Sequence, residues 1–441
     1  MGIQEEIRGK VRSAGIVGAG GAGFPTHVKF NAKAEIYLIN CAECEPLLKV
    51  DQQLAAVHAD KLVRGLEIGM EATGATEGII ALKAKYTQAI EALQPRLKAG
   101  MHIHILKDVY PAGDELVAIW LATGRRVPPG RLPLDVGVVV NNVQTVLNVA
   151  RAVDEGRAVT HRTLTITGAV NNPVTVTVPI GVSYKELLDL AGGVAVKNAE
   201  FIDGGPMMGK YIADITQPIG KTTGGILGLP ADHLLIQRRR KPAAMITRVA
   251  RTVCEQCRMC TEMCPRHILG HDLQPHLLVR AVNYNLTGDS SRIASALICS
   301  ECSLCEAWSC PVGISPVRIN VGLKDALRKD GIKYNGTIGT LDAMAEYRLV
   351  PVSRLATRLN IQAYNRKAPL NEEDYRPARV VLKLRQHIGA PSVPVVNVGD
   401  RVEVGQLVAD IPEGALGACV HASISGKVEA IDANAIHVSA V

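Results

Sequence analysis

Two short runs of cysteine constrain the fold of this chain more than any other feature of its sequence. One run, over residues 254–264, separates its four cysteines by two, two and three residues, and the other, over residues 299–310, separates them by two, two and four. The ligands of [4Fe–4S] clusters have this spacing: three cysteines at two-residue separations, followed by a fourth cysteine before a proline. A structural zinc site is instead made from two pairs of ligands. The spacing therefore predicts two [4Fe–4S] clusters and the transfer of single electrons.

The fourth cysteine of each run is expected to bind the cluster of the other run, as in two-cluster ferredoxins. This rule assigns one cluster to Cys254, Cys257, Cys260 and Cys310, and the second cluster to Cys299, Cys302, Cys305 and Cys264. The extra residue in the second run makes the position of Cys310 the least defined of the eight. Between the runs, Leu277, Leu278 and Ala281 recur at helical spacing. We therefore predict a helical ferredoxin-type domain over residues 237–340.

Length, composition and charge limit the number of domains, the location of the protein and the kinds of partner that it can bind. With 441 residues, 47% of them hydrophobic, the chain can form about three domains with cores of their own. It contains no apolar stretch long enough to span a bilayer and no secretory signal, so we expect a cytoplasmic protein without a membrane span. The net charge of +7 comes with only 3% aromatic residues, and we expect no nucleic-acid partner. The densest basic run, residues 237–241, is either a patch for an acidic partner or the solvated edge of a linker.

The N-terminal region predicts an open α/β sheet with its ligand at one edge. Residues 18–23 contain the pattern GxGxxG, which needs a preceding strand and a following helix to indicate a nucleotide site and is otherwise a glycine-rich turn. Apolar runs predict strands over residues 14–17, 36–40, 78–82, 102–106 and 136–140, and periodic runs predict helices over residues 60–73 and 86–97. Polar groups at residues 40–45, 113–115 and 141–145 follow apolar runs, where open α/β sheets bind ligands. We place this domain at residues 1–158.

These pieces together resemble the flavin- and NADH-binding subunit of respiratory complex I and, more closely, the C subunits of Rnf complexes. The resemblance implies bound FMN, with its phosphate cradled by backbone N–H groups, and NADH as the electron donor. It assigns flavin binding to Gly18, Gly20, Gly21, Gly23, Asn40, Glu43, Asn141, Asn142 and Thr145, with Phe24, Tyr110 and Asp114 as further cofactor-binding residues. It places Phe24, Lys29, Glu45 and Glu115 on the NADH side, the last three as the candidate catalytic residues.

Two further regions have informative patterns. Residues 162–179 alternate as two strands joined at residues 171–173, and Ser183 then caps a short helix. Residues 159–236 therefore resemble an SLBB β-grasp module, which is either a binding site for a ligand such as cobalamin or a spacer. Residues 341–378 are predicted to be a linker. Residues 379–441 resemble the barrel-sandwich hybrid (lipoyl-like) fold without its modifiable lysine.

The order of these four domains resembles the cobalamin reductases of propanediol-utilisation microcompartments. It implies NADH-dependent reduction of cob(III)alamin to cob(II)alamin and on to cob(I)alamin, for regeneration of adenosylcobalamin. It also implies cobalamin, an adenosyltransferase and shell proteins as partners, inside or at the shell of a bacterial microcompartment.

Some alternatives remain open from the sequence. Ile3, Ile7 and Val11 make the N-terminus an amphipathic helix, which either packs on the flavin domain or docks to a shell. The chain as a whole could also be an Rnf-like NADH:ferredoxin electron-transfer subunit, or a non-enzymatic electron-wiring or scaffold protein.

Overall fold

The computed structural model describes residues 2–286 and 290–441, and its first domain is built on a four-stranded parallel sheet of order β3–β2–β1–β5. The strands are β1 (Ile36–Cys41), β2 (Glu77–Lys83), β3 (Met101–Leu106) and β5 (Val138–Asn142), with a short β4 (Val109–Tyr110) after β3. The strand order reverses between β1 and β5, so a crevice opens at their carboxyl ends. Both strands are buried and apolar up to their carboxyl ends, where Asn40, Asn141 and Asn142 lie.

The helices of this domain bury their apolar faces against the sheet. They are α1 (Ile3–Ser13), α2 (Thr26–Lys29), α3 (Val50–Val57), α4 (Ala59–Thr73), α5 (Thr87–Leu93), α6 (Glu115–Thr123) and α7 (Val143–Glu155). Helix α1 buries Ile7 and Val11 in the core of this domain, so its apolar face packs on its own domain. The predicted strand over residues 14–17 is wrong. That segment forms an isolated bridge between Val17 and Pro25, because α1 and the glycine loop leave too little chain between them for a strand.

The second domain is a mixed six-stranded sheet. Its elements are β6 (His161–Gly168), β7 (Val174–Pro179), α8 (Tyr184–Leu190), β8 (Ala199–Asp203), β9 (Lys210–Ile212) and β10 (Gly225–Pro230). The predicted hairpin is confirmed, and Ser183 forms a capping box with Glu186 at the start of α8. The sixth strand, Leu370–Asn371, comes from the region predicted as a linker and pairs with β7, so that region completes a sheet edge.

The third domain holds the cysteine runs between short helices. These are α9 (Leu234–Arg240), α10 (Ala243–Val253), α11 (Met259–Glu262), α12 (Pro265–Ile268), α13 (Pro275–Tyr284), α14 (Ser290–Ala294) and α15 (Pro316–Lys329), with a π-helical turn at Cys305–Ser309. Short 3₁₀ turns lie at Gln94–Arg96, Pro133–Val136, Ser295–Ile298, Ala345–Arg348 and Gln362–Tyr364. The helical ferredoxin-type fold predicted here is confirmed.

The C-terminal region forms two small packed sheets, of order β13–β19–β18–β15 and β14–β16–β17. Its elements are β11 (Val350–Pro351), α16 (Val352–Arg358), β12 (Leu370–Asn371), β13 (Arg379–Lys383), β14 (Val393–Pro394), β15 (Arg401–Val402), β16 (Leu407–Asp410), β17 (Val420–His421), β18 (Gly426–Ile431) and β19 (Ala435–Ala440). The sandwich shares one hydrophobic core with the second domain, to which Leu164 and Val178 contribute from one side and Val380 and Val438 from the other. In the described part of the chain, no helix has the length and apolarity needed to cross a membrane.

Candidate flavin and iron–sulfur sites

The eight cysteines of the two runs surround two separate cavities. Cys264, Cys299, Cys302 and Cys305 line what we call the inner cavity, and Cys254, Cys257, Cys260 and Cys310 line the outer cavity. Each cavity takes three cysteines from one run and one from the other, which is the crossed arrangement that the spacing predicts. Among the residues that the structure describes, no three or more His, Cys, Asp or Glu side chains are grouped to hold a single metal ion.

The backbone bends in the same way around both cavities. In each run, the second and fourth residues after the first cysteine are non-glycine residues with positive φ: 56° at Gln256 and 67° at Arg258, and 62° at both Glu301 and Ser303. Such conformations cost about 1–3 kcal/mol each and persist where the surroundings fix them. The shared conformation wraps three thiols around a common centre, and it fits the same kind of cluster in both cavities.

A π-helical turn absorbs the extra residue of the second run. The turn covers Cys305–Ser309, and Ser309 Oγ donates to the Leu304 carbonyl at 3.0 Å. A π turn accommodates one more residue than the α-helical turn it replaces. Cys310 therefore reaches the outer cavity despite the longer spacing.

The environment of the thiols suits metal ligation. Burial raises the pKa of Cys260 and of Cys264 to about 12, so neither thiol ionises alone near neutral pH, and a bound metal must stabilise the thiolate. Beside the inner cavity, Lys324 Nζ donates to the Cys299 carbonyl at 2.8 Å and Asn320 Nδ2 faces Cys299 Sγ at 3.8 Å. These donors fit two iron–sulfur clusters, which supply one-electron redox chemistry when bound.

Two hydrogen bonds fix the glycine loop at the mouth of the crevice. Ala19 N donates to Thr145 Oγ1 at 2.8 Å, and Arg162 Nη2, from β6 of the second domain, donates to the Ala19 carbonyl at 2.9 Å. Gly18 N donates to the carbonyl of the half-buried Phe24 at 2.9 Å and closes the loop. The loop is therefore held from both the first and the second domain.

The glycines of this loop differ in what surrounds them. A Cβ on Gly20 would lie 3.0 Å from Asn142 Cβ, and Gly23 has a φ of +75° that disfavours other residues. Gly21 is exposed, and a Cβ there would meet no heavy atom within 4 Å. The loop thus packs closely on the protein at Gly20 and is open at Gly21, an arrangement that fits a phosphate cradled by backbone N–H groups.

The three asparagines at the strand ends fix the walls of the crevice. Asn40 Nδ2 donates to the Gly113 carbonyl at 2.9 Å, and Asn141 Nδ2 donates to the buried Tyr37 hydroxyl at 2.8 Å. Asn142 Nδ2 donates to Asp51 Oδ2 at 2.7 Å, directly beside the glycine loop.

Two buried carboxyl groups lie behind this wall. Glu43 Oε1 accepts from the backbone N–H groups of Val50 at 2.6 Å and Asp51 at 3.1 Å, at the start of α3. Burial raises the pKa of Glu43, and burial together with the charge of Glu43 raises the pKa of Asp51 to about 8. Asp51 is therefore protonated near neutral pH and adds no negative charge to a site for an anionic group.

The residues predicted to face NADH occupy two places. Lys29 Nζ forms an ion pair with Glu115 Oε1 at 3.1 Å and donates to the Val140 carbonyl at 2.9 Å, and both side chains are partly exposed at the crevice. Glu45 lies at the boundary with the second domain, where its carboxylate accepts from Met207 N at 2.9 Å and Met208 N at 2.7 Å. Burial raises the pKa of Glu45.

The basic run over residues 237–241 has a structural task at this boundary. Arg239 Nη2 donates to the Pro206 carbonyl at 2.6 Å and its Nε donates to the Gly209 carbonyl at 2.8 Å. It therefore holds the loop whose amides bind Glu45. Arg240 forms an ion pair with Glu200 at 2.8 Å.

Tyr110 and Asp114 connect the flavin domain to the inner cavity. The Tyr110 hydroxyl donates to the Cys302 carbonyl at 2.7 Å. Arg266, two residues after Cys264, donates to both carboxylate oxygens of Asp114 at 2.7 and 3.0 Å, and this pair is about nine-tenths buried. The inner cavity thus lies against the flavin domain, whereas Cys257 of the outer cavity is exposed. A contact of Tyr110 or Asp114 with a cofactor stays a prediction.

Family models match four parts of the chain in the order of the domains described above. They are the Nuo51 FMN-binding domain at residues 11–151, the SLBB domain at 163–211, a 4Fe-4S dicluster domain at 253–315 and the RnfC barrel sandwich hybrid domain at 362–440. The chain therefore has an FMN-binding domain and a domain for two [4Fe–4S] clusters.

Relatives match over nearly the whole length or over part of it. The chain is 59% identical over 434 residues to the cobalamin reductase PduS of Salmonella typhimurium, covering 98% of this chain and 96% of that protein, and 58% identical over the same shares to that of Citrobacter freundii. It is 38% identical to the C subunit of the Na(+)-translocating ferredoxin:NAD(+) oxidoreductase complex of Acetobacterium woodii, over 60% of this chain and 58% of that one. With this domain order and this identity over its length, the chain belongs to the cobalamin reductase PduS family.

Proposed function

We propose that this chain is an NADH-dependent oxidoreductase that reduces cobalamin, with FMN and two [4Fe–4S] clusters as its cofactors. The observation that carries the proposal is the arrangement of the sites. The inner cavity lies against the flavin domain through Tyr110 and Arg266, and the outer cavity lies at the surface at Cys257. FMN exchanges electron pairs with NADH, whereas iron–sulfur clusters exchange single electrons, which is what stepwise reduction of cobalt requires.

Each part of the crevice has a task in this function. The glycine loop binds the FMN phosphate, because the space beside it is open at Gly21 and its backbone is fixed by Thr145 and Arg162. The Lys29–Glu115 pair positions the dinucleotide, since it lies at the accessible side of the crevice. Glu45 has an indirect part in this function: its carboxylate accepts hydrogen bonds from a loop of the second domain and so fixes the position of that loop.

The partners follow from the same proposal. Cobalamin is the substrate, and we infer that an adenosyltransferase takes the reduced product in or at a microcompartment shell. The whole-length similarity to the cobalamin reductase PduS supports the first point. Ile7 and Val11 of α1 are buried in the flavin domain, whereas Ile3 is exposed. Helix α1 therefore has few apolar side chains left with which to bind a shell protein.

The proposal is tested by emptying the flavin site without disturbing the fold. A Gly21→Val variant places its side chain in open space, so we expect a folded protein with intact clusters that loses FMN and NADH-driven cob(III)alamin reduction. Gly9→Val is the matched control, because Gly9 also has no neighbour within 4 Å and lies on α1. Full cobalamin reduction by flavin-free Gly21→Val protein would refute the proposed function.

A further inference from the structure

We propose that the surface around the outer cavity is a docking site for an acidic protein partner. We call this surface the outer face. It comprises exposed residues that line the outer cavity or follow one that does, namely Cys257, Arg258, Met259 and Val312, and exposed residues of the last turns of α10, which leads directly into Cys254, namely Arg248, Arg251 and Val253. The proposal rests on the proposed function, since it concerns where a partner in electron transfer would meet the chain.

The charge of the chain is concentrated in the domain that carries the outer face. Residues 237–340 contain 15 Lys and Arg residues against eight Asp and Glu residues, an excess of seven. The net charge of the whole chain is also +7, so the rest of the molecule is balanced. A single-sign field on one domain steers partners of opposite charge toward it.

The basic residues of this domain have different tasks. Arg266 is buried in its pair with Asp114, and Lys324 is about nine-tenths buried beside Cys299, so these two lie where they offset the charge of the inner site. Arg248 and Arg251 are exposed, three residues apart on one side of α10, whereas Ile246 and Ala250 on its other side are buried. Positive charge at these exposed positions is available to a partner.

Apolar side chains lie among these charges. Val253 is 37% exposed, Met259 46% and Val312 40%. Val253 precedes Cys254 and Met259 follows Arg258 in the chain, and Val312 lines the outer cavity with the exposed Cys257. Arg258, Cys257 and Val312 line the same cavity together with Glu255, and Arg258 forms an ion pair with Glu262 at 3.6 Å. The positive charge that the outer face offers to a partner therefore lies chiefly on Arg248 and Arg251. A small apolar centre with a charged rim is typical of weak, transient protein–protein interfaces. None of these residues is aromatic, so the outer face offers no platform for stacking nucleic-acid bases.

The test measures binding to two probe proteins of opposite charge. Cytochrome b5 serves as the acidic probe and horse cytochrome c as the basic probe, with the anaerobically purified holoprotein immobilised for surface plasmon resonance. We expect cytochrome b5 to bind, and we expect its affinity to fall as the salt concentration rises toward about 150 mM, because salt screens exposed charges. We expect cytochrome c to bind at least about tenfold more weakly at low salt.

Matched charge reversals locate the binding site. Arg248→Glu combined with Arg251→Glu should weaken cytochrome b5 binding about tenfold, whereas Arg376→Glu combined with Arg385→Glu, an equal change of charge at exposed positions near the sandwich, should alter it less than about twofold. Equal losses of cytochrome b5 binding from both pairs of substitutions would overturn the proposal. So would a heparin oligosaccharide that displaces cytochrome b5 and whose own binding is weakened in the same way by the changes at Arg248 and Arg251. Cobalamin reduction by the unaltered protein is measured in parallel, and cytochrome b5 binding without that activity would overturn the proposed function alone.

Discussion

Asp51 lies beside the glycine loop with its carboxyl group buried and bonded to Asn142. Burial and the neighbouring charge of Glu43 raise its pKa to about 8, against about 3.9 in an unfolded chain. Between these pH values the folded protein holds a proton that the unfolded chain releases, so raising the pH across this range lowers the free energy of unfolding. The protonated form also adds no negative charge beside the glycine loop.

Replacing Asp51 with asparagine should remove part of this pH dependence. From about pH 5.5 to about pH 8, the free energy of unfolding of the unaltered protein should fall by up to about 1.4 kcal/mol per pH unit through this group, and the Asp51→Asn curve should be flatter by that slope. Urea unfolding of anaerobic holoprotein at several pH values measures the slope. Asp154→Asn, at an exposed ion pair with Arg64, is the control. Parallel curves for Asp51→Asn and the unaltered protein would contradict the assignment.

Single residues could be predicted where only one residue type performs the task. Cysteine at two-residue spacing is such a case, since the eight predicted cysteines line the two cavities, whereas glycine at a phosphate loop stays a prediction. Asp51, Arg162 and Arg266 were missed, because each acts through a partner that sequence spacing does not indicate. Arg162 bonds a residue 143 positions away and Arg266 one 152 positions away. The position of Asp51, in the first turn of the helix that follows β1, carries no motif.

At the scale of elements, the π-helical turn at Cys305–Ser309 decides where the outer site receives its fourth cysteine. The turn makes a four-residue gap equivalent to the three-residue gap of the first run. Leu304, which precedes the turn, and Ala307 within it pack in a core that also contains Tyr110 and Cys302, so the turn is anchored to the flavin domain.

Deleting Ala307 should leave Cys310 at the outer cavity, because a π turn holds one more residue than an α-helical turn and the deletion gives the second run the spacing of the first. Iron should therefore stay at about eight per chain. Inserting one alanine after Ala307 should instead rotate Cys310 by about 100° away from the outer cavity, and iron should fall to about four per chain with the inner cluster retained. Iron and sulfide analysis with electron paramagnetic resonance measures both, and Ala307→Gly, which keeps the spacing, is the control. Loss of half the iron from the deletion variant would contradict the role assigned to the turn.

The longer elements were predictable and the short ones were not. Strands β1, β2 and β3 follow from apolar runs of five residues, and helix α4 follows from a periodic run of 14 residues. The two-residue strands β11 and β12 carry too few residues for a pattern, and their pairing with β4 and β7 depends on where the chain returns. The strand predicted over residues 14–17 is absent because α1 and the glycine loop leave too little chain between them, so that this segment forms only the bridge between Val17 and Pro25.

At the scale of the whole molecule, the domains interlock behind the flavin site. Lys221 of the second domain is buried, and its Nζ donates to the carbonyls of Gly15 at 2.7 Å and Cys419 at 2.6 Å. A Cβ on Gly23 would meet Thr222 and the backbone of Gln386 and His387, so the sandwich supports the glycine loop from behind. The order of the domains could be predicted from their separate patterns. Their docking could not, because it depends on buried contacts between residues roughly 200 positions apart.

The measurement that tests the central claim most directly is the saturation of NADH-driven reduction by its acceptor. Anaerobically purified protein is given NADH and increasing cob(III)alamin, and separately increasing ferredoxin, with initial rates followed optically. Flavins and iron–sulfur proteins can reduce cob(III)alamin without a specific site, so the shape of the curve carries more weight than the rate. The account predicts saturation at micromolar cobalamin together with direct corrinoid binding. A rate that rises linearly with cobalamin, while ferredoxin saturates at micromolar concentration, would contradict it.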